Sequence, residues 1–249
     1  MTPTSTDAHQ ADLVREIDAI EQQIAALKLK AAEAKRKLPS LPVKDYTLAY
    51  AGSGVKVKLS ELFQDKSDLI IIHNMGRKCA YCTLWADGFA GVYKHLSSRC
   101  AFVLATPDEP VVAAAFAAAR HWTFPIISLS GSAFGRDMGF QRENGGVIPG
   151  ASAYHKEIDG HIQRSNQAAE FGPGDNFCAV WHLLDLLKDG PAPRALAAFL
   201  AMLLAALTVF FVTRTPRAVV EVAVPLSLAL VTWLGLGLVV GQTALLIAP

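Results

Sequence analysis

Two cysteines three positions apart, Cys79 and Cys82, are the residues of this chain best placed by type and spacing to do chemistry. Thiols at that spacing can cycle between a dithiol and a local disulfide. Only the thiolate attacks a disulfide or binds a metal, so the question is what stabilises negative charge on sulfur. In the segment IIIHNMGRKCAYCTLWADGF a buried-strand run ends near His73, a short loop follows, and Cys79 falls where a helix should begin. Free amides at a helix N-terminus carry partial positive charge, and Arg77 and Lys78 stand beside the thiol. The pattern predicts Cys79 as a low-pKa nucleophile. Cys82, one helical turn inside, is expected to resolve a mixed disulfide.

Other chemistries fit the same pair. A lone Cys-x-x-Cys can be half of a zinc site. Cys178 and His182, four apart on an expected helix, could supply the other two ligands. The pair could also be inert and structural. A redox dithiol of this kind needs a proline facing the thiols at the head of an antiparallel strand, usually after a cis bond. Pro149 in GGVIPGASAYHK is the best candidate, and Pro125 the less well placed one. Asp87 is a candidate proton acceptor near Cys82 or a solvated helix residue. His73 could modulate the thiolate. Trp85 and Phe89, four apart, read as core-packing residues, and Cys100 as a small buried hydrophobe.

The elements that must position these groups alternate between strand and helix patterns. Strands are expected at Val55–Leu59, Leu69–Ile72, Ala101–Ala105 and Pro125–Leu129. A capped short helix is expected at Ser60–Phe63, and longer ones at Cys79–Leu96 and Asp108–Arg120. Ala151–Lys156 and His161–Ser165 read as a hairpin turned by Asp159-Gly160. Asp175–Lys188 reads as a closing helix, with Phe177, Val180, Trp181, Leu184 and Leu187 on one face. Such an order implies an α/β fold, a mixed sheet flanked by helices.

Net charge is +1, which argues against a nucleic-acid partner. Four cysteines in 249 residues are too few for a disulfide scaffold. The first residues have no apolar core of the signal-peptide kind, so a reducing compartment is expected. Residues 1–10 are expected to be disordered and 11–38 to form a long amphipathic helix. Along it Leu13, Ile17, Ile20, Ile24, Leu27, Ala31, Ala34 and Leu38 follow a heptad seam. That seam would either pair two copies as a coiled-coil homodimer or lie on its own domain. Residues 39–193 form the α/β domain. Ala195–Thr213 and Val222–Pro249 are free of charge, and each is long enough to cross a bilayer. With Arg214-Thr215-Pro216-Arg217 between them, 194–249 is expected to be a transmembrane hairpin. The bilayer is then a partner, and the domain sits on the cytoplasmic side of the inner membrane.

The residues from about Glu21 to Leu187 resemble a bacterial thioredoxin-like family, domain-of-unknown-function family 899. The resemblance runs through LKLKAAEAKRKLPSLPVKDYTL, CAYCTLWADGF, CAFVLATPDEP, WTFPIISLSGSAFGRDMGF, VIPGASAYHK and WHLLDLL. It implies a thioredoxin-like fold related to peroxiredoxins, with Cys79 and Cys82 as the redox pair and Trp85, Asp87, Gly88 and Phe89 as signature positions. HNMGRKC lacks the Pro and Thr that peroxiredoxins place before their reactive cysteine. The expected function is therefore a membrane-anchored thiol–disulfide oxidoreductase acting on a disulfide-containing protein or a small thiol, with no cofactor and no metal. A non-catalytic thioredoxin-fold scaffold of a membrane complex is the alternative.

Overall fold

A computed structural model describes residues 5–188 and Gly190. The expected membrane hairpin at 194–249 lies outside the described residues. Among those that are described, no helix is long and apolar enough to cross a membrane.

The helix α1 spans Ser5–Arg36. It starts well before the expected Ala11, so residues 5–10 are helical rather than disordered. It is followed by β1 (Leu41–Val43), β2 (Thr47–Tyr50), β3 (Lys56–Lys58), a 3-10 turn at Leu59–Phe63, and β4 (Asp68–His73). Then come α2 (Ala80–Arg99), β5 (Ala101–Thr106), α3 (Pro110–Ala119), β6 (Ile126–Ser128), α4 (Phe134–Asp137), β7 (Gly150–Lys156), β8 (Ile162–Ala169) and α5 (Ala179–Leu184). All eight strands join one mixed sheet in the order β1-β8-β7-β4-β5-β6-β2-β3.

The chain divides into two compact units. One holds the residues up to Gly76 together with Ala90–Phe171; the other holds Arg77–Phe89 and the chain from Gly172 on. The first unit contains the whole sheet. At its centre β4 and β5 are parallel, with Ile71 opposite Val103. Parallel strands covered on both faces read as continuous apolar runs, and all six residues of β5 are buried. β7 runs antiparallel to β4, pairing His73 with Gly150, and β8 returns beside it. The core gathers around Leu69, Ile71, Val103, Ile127, Phe134 and Tyr154. This is the mixed, thioredoxin-like sheet that the resemblance implies.

Three departures from the sequence reading have physical causes. First, β1 carries Pro42, which cannot donate to a ladder, and β1 pairs only with β8 at the sheet edge, where a proline is tolerated. Second, α5 is only six residues long, not the fourteen expected. Asp175 Oδ1 accepts the Phe177 amide at 2.7 Å and its Oδ2 accepts the Trp181 indole at 3.2 Å. That aspartate turn holds the chain out of helix until Cys178, which is still extended. Phe177 and Leu187 are exposed, so the expected apolar face reduces to Trp181 with the half-buried Val180 and Leu184 beside it. Third, α1 does not lie on its own domain. From His9 to Arg36 every residue except Ala32 is exposed, including Ile17 and Leu27 at 57% and 62%.

Candidate functional site

The loop that leads to the thiols starts at the end of β4. The Asn74 amide extends the β4–β5 pairing by donating to the Ala105 carbonyl at 2.9 Å. The Asn74 side chain then accepts the Gly76 amide at 2.6 Å. Gly76 takes a φ of +94°, the left-handed region that glycine enters without a steric penalty.

Cys79 is the residue immediately before α2, and Cys82 lies in the first turn. The Cys82 amide donates to Cys79 Sγ at 3.1 Å, and the Thr83 amide and hydroxyl both donate to the Cys79 carbonyl. Cys79 thus holds the position where a serine or aspartate would cap the helix by accepting an otherwise unpaired amide. Its pKa is pulled down to about 7. The Cys82 thiol, which hydrogen-bonds it, is the main cause; the amides of Cys82 and Tyr81 add to it, and partial burial works against them. The lowering comes chiefly from the partner thiol, with the backbone adding to it. Cys79 is part-exposed, whereas Cys82 is 2% exposed.

Alkylation of Cys79 by iodoacetamide should therefore show a midpoint near pH 7, against about 8.5 for an ordinary thiol. Cys82→Ala removes the strongest of these causes and leaves the amides, so the midpoint should rise by about one unit. A midpoint that stays near 7 in that variant would assign the effect to the helix terminus alone.

The other sequence candidates separate clearly. On α2, Cys82, Thr83, Trp85 and Ala86 are buried and form one face. Asp87 is half-exposed and four positions beyond Thr83, so it stands one turn further along at the edge of that face. Phe89 is half-buried. Cys178 is buried ahead of α5, and burial raises its pKa. Among the described residues no group of three or more His, Cys, Asp or Glu side chains is gathered to hold a metal ion. Cys178 and His182 do not complete a zinc site with the thiol pair. In the same unit the Tyr81 ring meets the Trp181 ring edge-on, 5.7 Å between centroids. Sequence reading missed that contact, because Tyr81 lies between the two cysteines with no periodic signal of its own.

Pro149 and His73 belong to the sheet unit. Pro149 directly precedes β7, one residue beyond the Gly150–His73 pair, and its carbonyl accepts the Phe171 amide at 3.2 Å. The expected cis bond is not found: no cis peptide occurs among the described residues. Cys100 is buried, as expected of a small hydrophobe, and its thiol donates weakly to the Leu96 carbonyl.

His73 does not act as a cationic neighbour. It is buried and stacks on Phe140 with ring centroids 3.5 Å apart and planes 6° from parallel. The Ser152 hydroxyl donates to Tyr154 Oη at 2.9 Å and receives the proton of His73 Nε2, 2.7 Å away. Burial drives the His73 pKa down to about 3, with Arg164 adding to the effect. The ring is neutral at neutral pH and lends no positive charge. It is instead an acid-sensitive element of the core. Because the folded pKa lies below the ordinary 6.5, the unfolded chain takes up the proton first as pH falls. Stability is complete above pH 6.5 and declines toward pH 3. From pH 6.5 to 5 the loss should be about 2 kcal/mol, read as a falling urea midpoint. His73→Phe should flatten that slope; an unchanged slope would place the acid sensitivity elsewhere.

These features describe an α/β protein of the thioredoxin-like class that carries a Cys-x-x-Cys pair at the head of a helix. A family model described as "Bacterial protein of unknown function (DUF899)" matches residues 4–199, and the chain belongs to that family. No curated protein matches it. Among solved structures it is similar to the peroxidoxin BcpB of Mycobacterium tuberculosis, at 19% identity and a TM-score of 0.46, over 56% of this chain and 88% of that one. It is also similar to peroxiredoxin Q of Xanthomonas campestris, at 16% identity and a TM-score of 0.48, over 59% and 94%. A third similar structure is the mitochondrial 2-Cys peroxiredoxin of Plasmodium falciparum, at 11% identity and a TM-score of 0.43, over 62% and 99%. These similarities are distant and say nothing about which chemistry this chain performs.

Proposed function

We propose that the protein is a thiol–disulfide oxidoreductase that works through Cys79 and Cys82. The observation that carries this reading is the asymmetry of the pair. One sulfur is part-exposed with a pKa near 7, and the other is buried and hydrogen-bonded to it. The Cys79 thiolate attacks one sulfur of a partner disulfide. A Cys79–partner disulfide forms, and the partner's other sulfur leaves as a thiolate that takes up a proton. Cys82 then loses its proton and attacks Cys79 Sγ. The Cys79–Cys82 disulfide forms, and the partner leaves as a dithiol. Two electrons pass from this chain to the partner, and a second dithiol must restore the pair. An attacking thiol works best with a pKa near the ambient pH, which is where Cys79 lies.

Asp87, one turn beyond Thr83 at the edge of the face that carries Cys82, is proposed as the acceptor of the Cys82 proton. Pro149, which immediately precedes β7 in the sheet unit, is kept as a proposed site residue. The charge-free stretches at 195–213 and 222–249 support a membrane tether, with the thiol domain on the cytoplasmic side. An aromatic disulfide that releases a coloured thiol tests the central step. Cys82→Ser should accumulate a one-to-one covalent adduct on Cys79, released by dithiothreitol. Absence of that adduct, or its formation at Cys100 or Cys178, would overturn the assignment.

A further inference from the structure

The feature this thiol chemistry leaves unexplained is α1. It is 32 residues long, about 48 Å at the rise of a helix. Its tie to the sheet is near its C-terminal end, where the Asn166 side chain donates to the Lys35 carbonyl at 3.0 Å. The apolar seam of Leu13, Ile17, Ile20, Ile24 and Leu27 is 38–62% exposed. A helix held at one end with its apolar stripe open to water lacks the packing that stabilises most helices in proteins. The heptad register puts Ile17 and Ile24 at a, and Leu13, Ile20 and Leu27 at d.

Charge determines the orientation. Residues 12–21 carry four acids and one arginine, 22–27 carry no charge, and 28–37 carry five bases and one acid. In a parallel pair the g-position Glu16 would face Glu21 of the partner subunit, and Lys30 would face Lys35 of the partner subunit. Both contacts set like charges together. Reversing one helix sets the acidic half of each against the basic half of the other. We infer that α1 is an antiparallel dimerisation helix whose occupant is the α1 of a second copy of this chain.

The full chain in detergent, followed by sedimentation equilibrium, tests this. The wild type should be a dimer that weakens as salt rises, because the contacts between halves are attractive and screened. Lys30→Glu should weaken the dimer roughly tenfold, since it turns attraction into repulsion twice per dimer. In a parallel pair the same change would create attraction and tighten it. Ile17→Asp with Ile24→Asp should give a monomer whose sheet domain keeps its urea unfolding midpoint, as both positions are exposed and away from the sheet core. A monomeric wild type, a dimer that survives the double variant, or a dimer tightened by salt or by Lys30→Glu would each overturn the inference. Survival of the double variant would assign the contact to another part of the chain, the apolar C-terminal stretch included.

Discussion

Cys79→Ser is expected to abolish disulfide reduction, by about a thousandfold or more relative to the wild type. A hydroxyl in this place keeps the capping geometry, so the helix start should survive and the loss should be chemical. What disappears is a nucleophile that is half ionised near pH 7. A serine hydroxyl has no comparable anionic form at that pH. Cys82 cannot take over from where it sits, because at 2% exposure it is closed to an incoming disulfide. Cys82→Ser should behave differently. Without dithiothreitol it keeps the first attack and stops at the mixed disulfide, so one equivalent of leaving thiol is released and no more; dithiothreitol then frees the adduct. The measurement is steady-state reduction of a simple disulfide with dithiothreitol as donor, with circular dichroism as the control for folding. Activity that survives Cys79→Ser would leave a thioredoxin-like scaffold with inert thiols as the better account.

The largest effect on stability is expected at Gly150, where the backbone is the constraint. A Cβ built there would stand 2.3 Å from the Ala168 carbonyl oxygen, 2.7 Å from the Phe140 ring and 3.0 Å from Ala169 Cα. Two of those three atoms belong to the backbone of β8, which cannot yield without leaving its pairing with β7. The third belongs to the ring that stacks on His73. Gly150→Ala should therefore destabilise the fold by about 3 kcal/mol or more, at the upper end of what overpacking a core costs. Gly88 is the contrasting case. It lies exposed on α2, and nothing stands within 4 Å of the position its Cβ would take. Gly88→Ala should stabilise the protein by up to about 1 kcal/mol through helix propensity. Urea unfolding of both variants checks the pair. A well-tolerated Gly150→Ala would mean that β7 and β8 can part more easily than their hydrogen bonding suggests.

The same neighbourhood links the fold to the site. Gly150 pairs with His73, and His73 is the last residue of the strand that feeds the thiol loop. The ring stack on Phe140 and the Ser152–Tyr154 hydrogen bonds hold the end of that strand in a buried setting, with His73 Nδ1 left without a hydrogen-bond partner. Loosening it by acid or by substitution should disturb the loop that follows.

How much of this was legible in the chain itself differs from element to element. The central strands announce themselves through unbroken apolar runs such as Leu69–Ile72 and Ala101–Ala105, because strands covered on both faces leave no polar position. The Cys-x-x-Cys at a strand-to-helix junction is equally local, and its capping geometry follows from the four consecutive residues Cys79 to Cys82. The 3.5-residue spacing of α1 is also local. None of these needs a distant partner to be recognised.

What tertiary structure alone decided depends on groups that meet across long stretches of sequence. Pro42 became a strand residue because β8 offered it a sheet edge. Asp175 shortened the closing helix by capturing the Phe177 amide and the Trp181 indole. His73 looked like a modulator of the thiolate, yet Phe140, Ser152 and Arg164 make it a neutral core residue. Gly150 carries no signal of its own in the sequence, and the Ala168 carbonyl makes it a steric necessity. The seam of α1 could have lain on its own domain, and the tertiary structure leaves it in water. Sequence periodicity thus determined which residues form each element and where the reactive sulfur sits. Burial and close approach are properties of what packs from elsewhere in the chain, and only the folded molecule could assign them.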